Sequence, residues 1–349
     1  MEPVDRPTLV DVARRAQVSR QTVSNVINSP HLVRDETSLR VQAAIDEMGY
    51  RPHLAARQLR TRRSQTLGLR MEPVRDGING AVLDRFLHGF TERAQTRGYR
   101  VLLFTAADDR REIEQYAELI DTADLDGFVV SGTHSGDIRT RWLTDRGVPF
   151  VTFGRPWPGA GAGPAEYDVH PWVDVDGAVG TRAATEHLLE LGHRRIALLG
   201  WPDDSDLGAD RARGWREAMR RAGTSESDID ALHTRIRDDV GTAARAMTDL
   251  LERANPTAVV AVSDSLALGA YGVVRTLDRA FAVVGFDDTP VAAALGMSSV
   301  AQPLVEAADR ALDLLLRRLD GTPPIDQHVL LAPHLVVRAT STPPPGGSH

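Results

Sequence analysis

In the first fifty residues apolar side chains recur every three to four positions, and this period predicts short amphipathic helices. Thr8 begins the first helix, with Asp11 three residues later in a capping-box pattern. Ser19 begins the second helix after a tight turn. A third helix is predicted over about 35–48, and Gly49 ends it. Because helices this short are unstable alone, the three must cover one another.

From Leu67 onward, short apolar runs alternate with amphipathic stretches, which predicts parallel sheets covered by helices on both faces. Eight strands are more than a single mononucleotide-binding half contains. We therefore predict an α/β fold with two parallel sheets side by side and a cleft between them. The predicted strands are LGLRM, VLLFTA, GFVVSG, PFVTFG, WVDVD, RIALLG, AVVAVSD and FAVVGFDD, and the predicted helices lie near 82–97, 109–122, 138–146, 178–191, 208–222, 241–253, 265–277 and 304–319.

Two segments lack the features of a stable element. Pro52 starts a basic stretch, residues 53–60, that favours helix but is too short to be stable alone in water. We interpret it as a hinge that becomes ordered only when it docks on a surface. The final STPPPGGSH is rich in Pro and Gly, and we expect it to be extended or disordered.

Charge is distributed unevenly along the chain. Residues 1–65 hold 11 Arg against 7 Asp and Glu, whereas the whole chain carries −7. A basic head on an acidic body is typical of local nucleic-acid contact. From charge alone, a solvated surface with accidental asymmetry is an equal alternative.

Composition excludes several classes of function. The chain has no Cys, so disulfides, thiolate metal sites and Cys nucleophiles are excluded. No run of 18 apolar residues and no signal-peptide pattern occur, so we expect a cytoplasmic protein without a membrane partner. His187 and His193 have no second ligand at usable spacing and are interpreted as structural. The adjacent Asp287 and Asp288 fit a turn better than a catalytic pair. With no nucleophile elbow, Walker loop or H-E-x-x-H, we expect neither an enzyme nor a cofactor or metal.

Several motifs, in order, carry a family resemblance. They are TLVDVARRAQVSRQTVSNVIN, AAIDEMGYRPHLAARQL, HLLELGHRRIALLG, SDSLALGAYGVVR, VVGFDD and HLVVRATST. Over about residues 8–341 the chain resembles the LacI/GalR family of bacterial transcriptional repressors. The resemblance implies a helix-turn-helix headpiece at 1–52, a hinge helix or linker at 53–63, a periplasmic-binding-protein-like core of two Rossmann-like subdomains at 64–341, and a disordered tail at 342–349. It implies an N-subdomain of about 66–158 and 289–319 and a C-subdomain of about 160–288 and 320–341, with three crossings between them.

The resemblance also implies how DNA is read. The second helix would lie in the major groove, where Arg20 suits guanine and Gln21 and Asn25 suit adenine. The bland alternative is the polar face of an ordinary surface helix. Arg34 departs from the family pattern; it would add a phosphate contact and weaken a cap. The residues expected at DNA are Thr8, Ser19, Arg20, Gln21, Thr22, Ser24, Asn25, Asn28, Arg34, His53, Ala56 and Leu59.

Leu59 matches the hinge leucine that, in relatives, enters the minor groove and separates a base step. The alternative is that Leu54 and Leu59 form the apolar face of an ordinary linker helix. Spacing alone does not separate these two interpretations.

The family core binds a small molecule, usually a sugar, between its subdomains. Arg211 and Asp264 occupy effector-binding positions, and the alternatives are a surface salt bridge for Arg211 and an N-cap for Asp264. Asp176 is interpreted as a cap. The remaining cleft candidates are Arg155, Glu72, Gln302 and the aromatic Phe286, with Trp157 and Trp201 as other sources of stacking.

These features together predict a homodimeric repressor on double-stranded, pseudo-palindromic operator DNA. A mono- or disaccharide effector would release it from the operator or, as the less common case, tighten it. Two rivals stay open on the same core: a sugar-binding transport-type protein, against which residues 1–63 argue, and a sugar-processing enzyme, which needs a carboxylate pair or a nucleophile–base set.

Overall fold

The computed structural model describes residues 7–28, 30–50, 63–71, 80–157, 170–322 and 326–343. Contacts within the chain separate a first unit, residues 1–64, from a second unit, residues 65–349. The hinge segment and residues 72–79 lie outside the described residues, as do 158–169.

The first unit contains the three helices that the sequence predicts. They are α1 (Leu9–Ala16), α2 (Arg20–Asn28) and α3 (Asp35–Met48), and a 3-10 turn covers Pro30–Leu32. The capping box of Thr8 and Asp11 is present, and Gly49 ends α3 in the left-handed region at φ 61°. Their shared core contains Val12, Val23 and Val41, each fully buried. This core is small, so each helix depends on the other two for its stability.

A six-stranded parallel sheet forms the first half of the second unit, in the order β11-β5-β4-β3-β1-β2. One face of this sheet packs on the helices Gly80–Thr96 and Leu304–Leu319, around Phe90 and Leu312. The other face packs on the helices Asp109–Ala123 and Ile138–Asp145, around Tyr116 and Phe128. The strands are β1 (Thr66–Arg70), β2 (Arg100–Phe104), β3 (Gly127–Ser131), β4 (Phe150–Phe153), β5 (Trp172–Val175) and β11 (His328–Leu331). The covering helices are α4 (Gly80–Thr96), α5 (Asp109–Ala123), α6 (Ile138–Asp145) and α13 (Leu304–Leu319).

The second six-stranded sheet has the order β12-β10-β9-β8-β6-β7, and only β12 runs antiparallel to its neighbour. Its central strands are fully buried, as parallel strands covered on both faces must be. The strands are β6 (Ile196–Gly200), β7 (His233–Arg235), β8 (Ala258–Ala261), β9 (Ala282–Phe286), β10 (Ser298–Ala301) and β12 (His334–Val336). The helices are α7 (Gly177–Glu190), α8 (Asp206–Arg221), α9 (Glu226–Leu232), α10 (Val240–Ala254), α11 (Asp264–Val274) and α12 (Pro290–Ala294). No helix among the described residues combines the length and apolar content needed to cross a membrane.

The two α/β halves predicted from the alternation are therefore present, but the expected boundaries between them were wrong in three places. β5, expected in the C-subdomain at 160–288, pairs with β4 in the first sheet. β10, expected in the N-subdomain at 289–319, pairs with β9 in the second sheet. β11, expected in the C-subdomain at 320–341, pairs with β5 in the first sheet. The chain still crosses between the two subdomains three times, after β5, after β10 and after β11. The sequence misplaced these crossings because the sheet that a strand joins depends on hydrogen bonds to strands far away in sequence.

Candidate nucleic-acid interface and ligand cleft

The start of α1 is held by its own cap. The Thr8 backbone N–H donates to Asp11 Oδ2 at 2.9 Å, and the Thr8 hydroxyl donates to the same oxygen at 2.6 Å. These hydrogen bonds hold the pKa of Asp11 below its usual value. Gln17 then takes a left-handed conformation at φ 56°, which ends α1 and turns the chain toward α2. Ser19 accepts from the Thr22 backbone N–H at 3.0 Å, so it begins α2 as predicted.

The two faces of α2 differ sharply. Val23 and Val26 are buried in the core of the unit, whereas Arg20 and Gln21 are exposed. Gln21 Nε2 donates to Asn25 Oδ1 at 3.0 Å, so these two amides lie one helical turn apart on one face. This face presents a guanidinium and two amides, the groups that read base edges in the major groove.

The other residues expected at DNA are distributed as follows. Arg34 is exposed and precedes α3 without a side-chain cap hydrogen bond, which matches the expected weakening of that cap. Thr22 and Ser24 are half-buried beside the exposed face. Asn28 ends α2, and its side chain is not described. His53, Ala56 and Leu59 lie outside the described residues, as does the cleft candidate Glu72.

Arg211 of α8 lies at the carboxyl ends of β8 and β9 in the second sheet, where it contacts Val262 and Asp287. Its side chain is 4% exposed, so the alternative of a surface salt bridge was wrong. The guanidinium carbon lies 3.7 Å from the ring centroid of Phe286 and 5.1 Å from that of Trp201. Nη1 donates to the Val262 carbonyl, whereas Nε has no hydrogen-bond partner among the described residues. Arg211 therefore combines a buried charge, two aromatic neighbours and an unpaired donor, features that are typical of ligand-binding sites.

Asp287 is the residue that the structure brings to Arg211. Its Oδ1 lies 3.6 Å from Arg211 Nη1 and accepts from Gln302 Nε2 at 2.7 Å. Asp287 and Asp288 take φ values of 115° and 47°, positions that non-glycine residues adopt only at a cost. Burial raises the pKa of Asp287 to about 8, opposed by Arg211. The turn was predicted, but interpreting Asp287 as turn chemistry alone overlooked its position beside Arg211 and Gln302.

Asp264 has a different environment from the one expected. Its Oδ2 accepts from the Thr289 backbone N–H at 2.7 Å, and its Oδ1 accepts from the Ser299 hydroxyl at 2.6 Å. The cap of α11 is Ser263, so the N-cap alternative for Asp264 was wrong. Burial raises the pKa of Asp264. Its carboxylate fixes the turn that carries Asp287 rather than pairing with Arg211.

Arg155 connects the two subdomains. Its Nε donates to Asp174 Oδ2 of β5 at 2.6 Å, and its Nη2 donates to Asp210 Oδ2 of α8 at 2.9 Å. The guanidinium carbon also lies 4.7 Å from the ring centroid of Trp157. Burial raises the pKa of Asp174, opposed by Arg155. Arg155 is therefore a partly buried ion bridge between the first sheet and the second subdomain.

Two predictions about polar side chains outside this network are confirmed. Asp176 caps α7 by accepting from the Val179 backbone N–H at 3.0 Å. His193 is structural: it lies between the Thr257 hydroxyl at 2.9 Å and the Thr342 carbonyl at 2.7 Å.

Comparisons with known proteins agree with this architecture. Residues 8–53 match the family described as bacterial regulatory proteins, lacI family, and residues 185–341 match a periplasmic binding protein-like domain. The chain is 36% identical over 97% of its length to the HTH-type transcriptional regulator CelR of Thermobifida fusca, covering 99% of that protein. It belongs to the LacI family. The first unit is thus the helix-turn-helix domain of a DNA-binding transcriptional regulator.

Solved structures extend the likeness. A transcriptional regulator CelR–cellobiose complex is 32% identical, with a TM-score of 0.69, over 96% of this LacI-family chain and all of that one. The lac repressor dimer bound to operator and an anti-inducer is 24% identical, with a TM-score of 0.79, over 98% of this chain and all of that one. At that identity the second likeness supports the fold alone.

Proposed function

We propose that this LacI-family regulator is a homodimeric repressor whose pseudo-palindromic operator is read by α2 and released when a sugar binds the cleft. The observation that carries the proposal is the Arg211 cluster, in which a buried guanidinium near the Trp201 and Phe286 rings faces Asp287, which in turn accepts from Gln302. Charged side chains with planar geometry suit the hydroxyl groups of a sugar, and the rings suit its apolar face. A regulator of this kind acts in the cytoplasm, and the proposal includes no catalytic step.

We further propose a β-linked glucose disaccharide as the effector. A CelR structure that is 32% identical over 96% of this chain was solved with cellobiose. Calorimetric titration tests this choice. The sugars are cellobiose, its α-linked counterpart maltose, and ribose. We expect saturable binding of cellobiose and at least a tenfold loss with Arg211→Ala, while Arg221→Ala, on the same helix but exposed, binds as the parent does. Equal binding of maltose would refute the β-linked class.

A gel-shift titration on the regulator's own promoter tests the mechanism. The sugar should lower operator affinity, since it can act only through different affinities for the two states. Tightened binding would make it a co-repressor instead.

The DNA-reading face needs its own test. Gln21→Ala should weaken operator binding by about 1–3 kcal/mol and relax specificity at one base pair. Gln42→Ala is the matched control, because Gln42 makes the same kind of i,i+4 hydrogen bond, to Asp46 on α3, without a base to read. Equal losses in both variants would count against α2 as the reading element.

A further inference from the structure

A cavity of about 360 Å³ lies on the flank of the second subdomain, between α8 and the edge strand β7. We call it the flank groove and define it by Trp201, Asp203, Arg216, Arg220, His233 and Arg235. These residues differ from the Arg155, Arg211 and Asp287 cluster of the cleft. The volume falls in the range of small-molecule pockets.

Positive charge dominates the lining of the groove. Four arginines face it, Arg213, Arg216, Arg220 and Arg235, against Asp203 and Glu217. Arg213 is held by the buried Asp210 at 2.6 Å and is therefore part of the structure around it. The other three arginines have more weakly held partners.

The partners of those three arginines are exposed carboxylates. Glu226, which pairs with Arg216 and Arg220, has a side chain that is 55% exposed. Asp230 and Asp203, which pair with Arg216 and Arg235, are 68% and 84% exposed. Exposed ion pairs contribute about 0–1 kcal/mol each, so an anionic ligand can displace these carboxylates at little cost.

The pairing geometry indicates the kind of anion. Arg220 grips Glu226 with two bonds, Nε to Oε1 at 2.5 Å and Nη2 to Oε2 at 3.0 Å. A guanidinium in this forked geometry can donate two hydrogen bonds to a carboxylate or to a phosphate equally well.

Two side chains that line the groove have nitrogens without hydrogen-bond partners among the described residues. The Trp201 indole N–H and both ring nitrogens of His233 have no hydrogen-bond partner among the described residues. His233 is 8% exposed, and burial lowers its pKa to about 4, so its ring is neutral at physiological pH. Buried polar groups are nearly always paired, so these unpaired nitrogens behind the groove surface are an exception.

We propose that the flank groove is a second ligand site, which binds a small organic anion through Arg216, Arg220 and Arg235. Trp201 forms a wall of this groove, and the same ring lies 5.1 Å from the guanidinium carbon of Arg211. An anion in the groove therefore lies one side chain away from the sugar cleft. The site is independent of the identity of the cleft effector.

Calorimetric titration of the full chain at constant ionic strength tests the site, with inorganic phosphate, citrate and glycerol 3-phosphate as probes and glycerol as the neutral match. We expect saturable binding of at least one anion and none of glycerol. Binding should fall at least tenfold in Arg216→Ala/Arg220→Ala and stay unchanged in Arg221→Ala, which lies on α8 but outside the groove. Binding of citrate alone would identify the ligand as a carboxylate, and binding of the phosphates alone would identify it as a phosphate.

Tryptophan fluorescence provides a second test that does not depend on the folding of the double variant. Anion binding should change the emission of the parent chain and leave that of Trp201→Phe unchanged, because Trp201 is the tryptophan that lines the groove. Non-saturable binding, equal loss in Arg221→Ala, or glycerol binding as well as its phosphate would each overturn the proposal.

Discussion

Asp287 and Asp288 show how little a residue's type says about its role. They are neighbours in sequence, yet Asp287 faces Arg211 and Gln302, whereas Asp288 pairs with Arg338 at 2.6 Å. Consecutive positive φ values at the end of β9 turn the two carboxylates to different partners. The sequence shows two equal acidic residues, and only the backbone conformation brings one of them to Arg211.

Exchanging each carboxylate for an amide separates these roles. Above about pH 8, where the carboxyl of Asp287 is ionised, Asp287→Asn should weaken sugar binding at least tenfold, because it removes the charge facing Arg211, while Asp288→Asn should keep the parent affinity. Calorimetry with the sugar that binds the parent chain measures both. A larger loss from Asp288→Asn would contradict the assignment.

Helix packing in the second subdomain depends on a glycine that gives no signal in the sequence. In α8, a Cβ on Gly214 would lie 2.0 Å from the Ala178 carbonyl oxygen and 2.5 Å from Thr181 Oγ1 of α7. The two helices therefore touch through backbone, and Thr181 donates its hydroxyl to the Arg211 carbonyl at 2.6 Å. This contact sets the position of α8, and with it that of Arg211.

Alanine at two helical glycines gives opposite results. Gly214→Ala should cost about 1–3 kcal/mol of unfolding free energy, because neither backbone can yield easily. Gly272→Ala in α11 meets nothing within 4 Å and should gain about 0.4–1 kcal/mol by restricting the unfolded chain. Urea unfolding measures both. Similar stability in the two variants would show that α7 and α8 separate without cost.

Across the whole core, the two subdomains are connected by ion and hydrogen bonds as well as by the three crossings. Arg155 bridges β5 and α8, and the Ser135 backbone N–H donates to Asp206 Oδ2 at 2.7 Å. Both contacts join the first subdomain to the first two turns of α8. This helix also carries Arg211, so a change at the cleft and a change in subdomain spacing are mechanically connected.

Removing the bridge should open the cleft. We expect Arg155→Ala to raise the radius of gyration of the ligand-free chain in small-angle scattering, and Arg182→Ala, whose pair with Glu217 lies within one subdomain, to leave it unchanged. An unaltered scattering profile for Arg155→Ala would show that the crossings alone hold the subdomains together.

Buried histidines make stability of the core depend on pH. Burial lowers the pKa of His170 and of His233 to about 4, so the unfolded chain binds protons first as pH falls. Stability should therefore be full above about pH 6.5 and be lost between 6.5 and 4, by up to about 1.4 kcal/mol per pH unit for each group. His233→Gln should lessen the loss in urea unfolding at pH 7 and 5, and the exposed His88→Gln should not.

The sequence alone determined the local elements, since capping residues, apolar period and β-branched runs act over a few positions. It predicted all three headpiece helices and eight of the strands. It missed β7, β10, β11 and β12, which are short or rich in polar residues such as the Ser298–Ala301 run. Arg211 and Phe286, which were expected in the cleft, lie in contact, and Gln302 joins them through Asp287; their role as ligand contacts stays a prediction.

Only the tertiary structure decided which sheet each late strand joins and which carboxylate faces Arg211. Both depend on contacts between residues far apart in sequence: β11 pairs with β5, and Asp264 holds the turn after β9. Local pattern fixes what a segment becomes, because its hydrogen bonds and period are internal to it. It leaves the partner open, because pairing energy depends on the surface that the rest of the chain brings alongside.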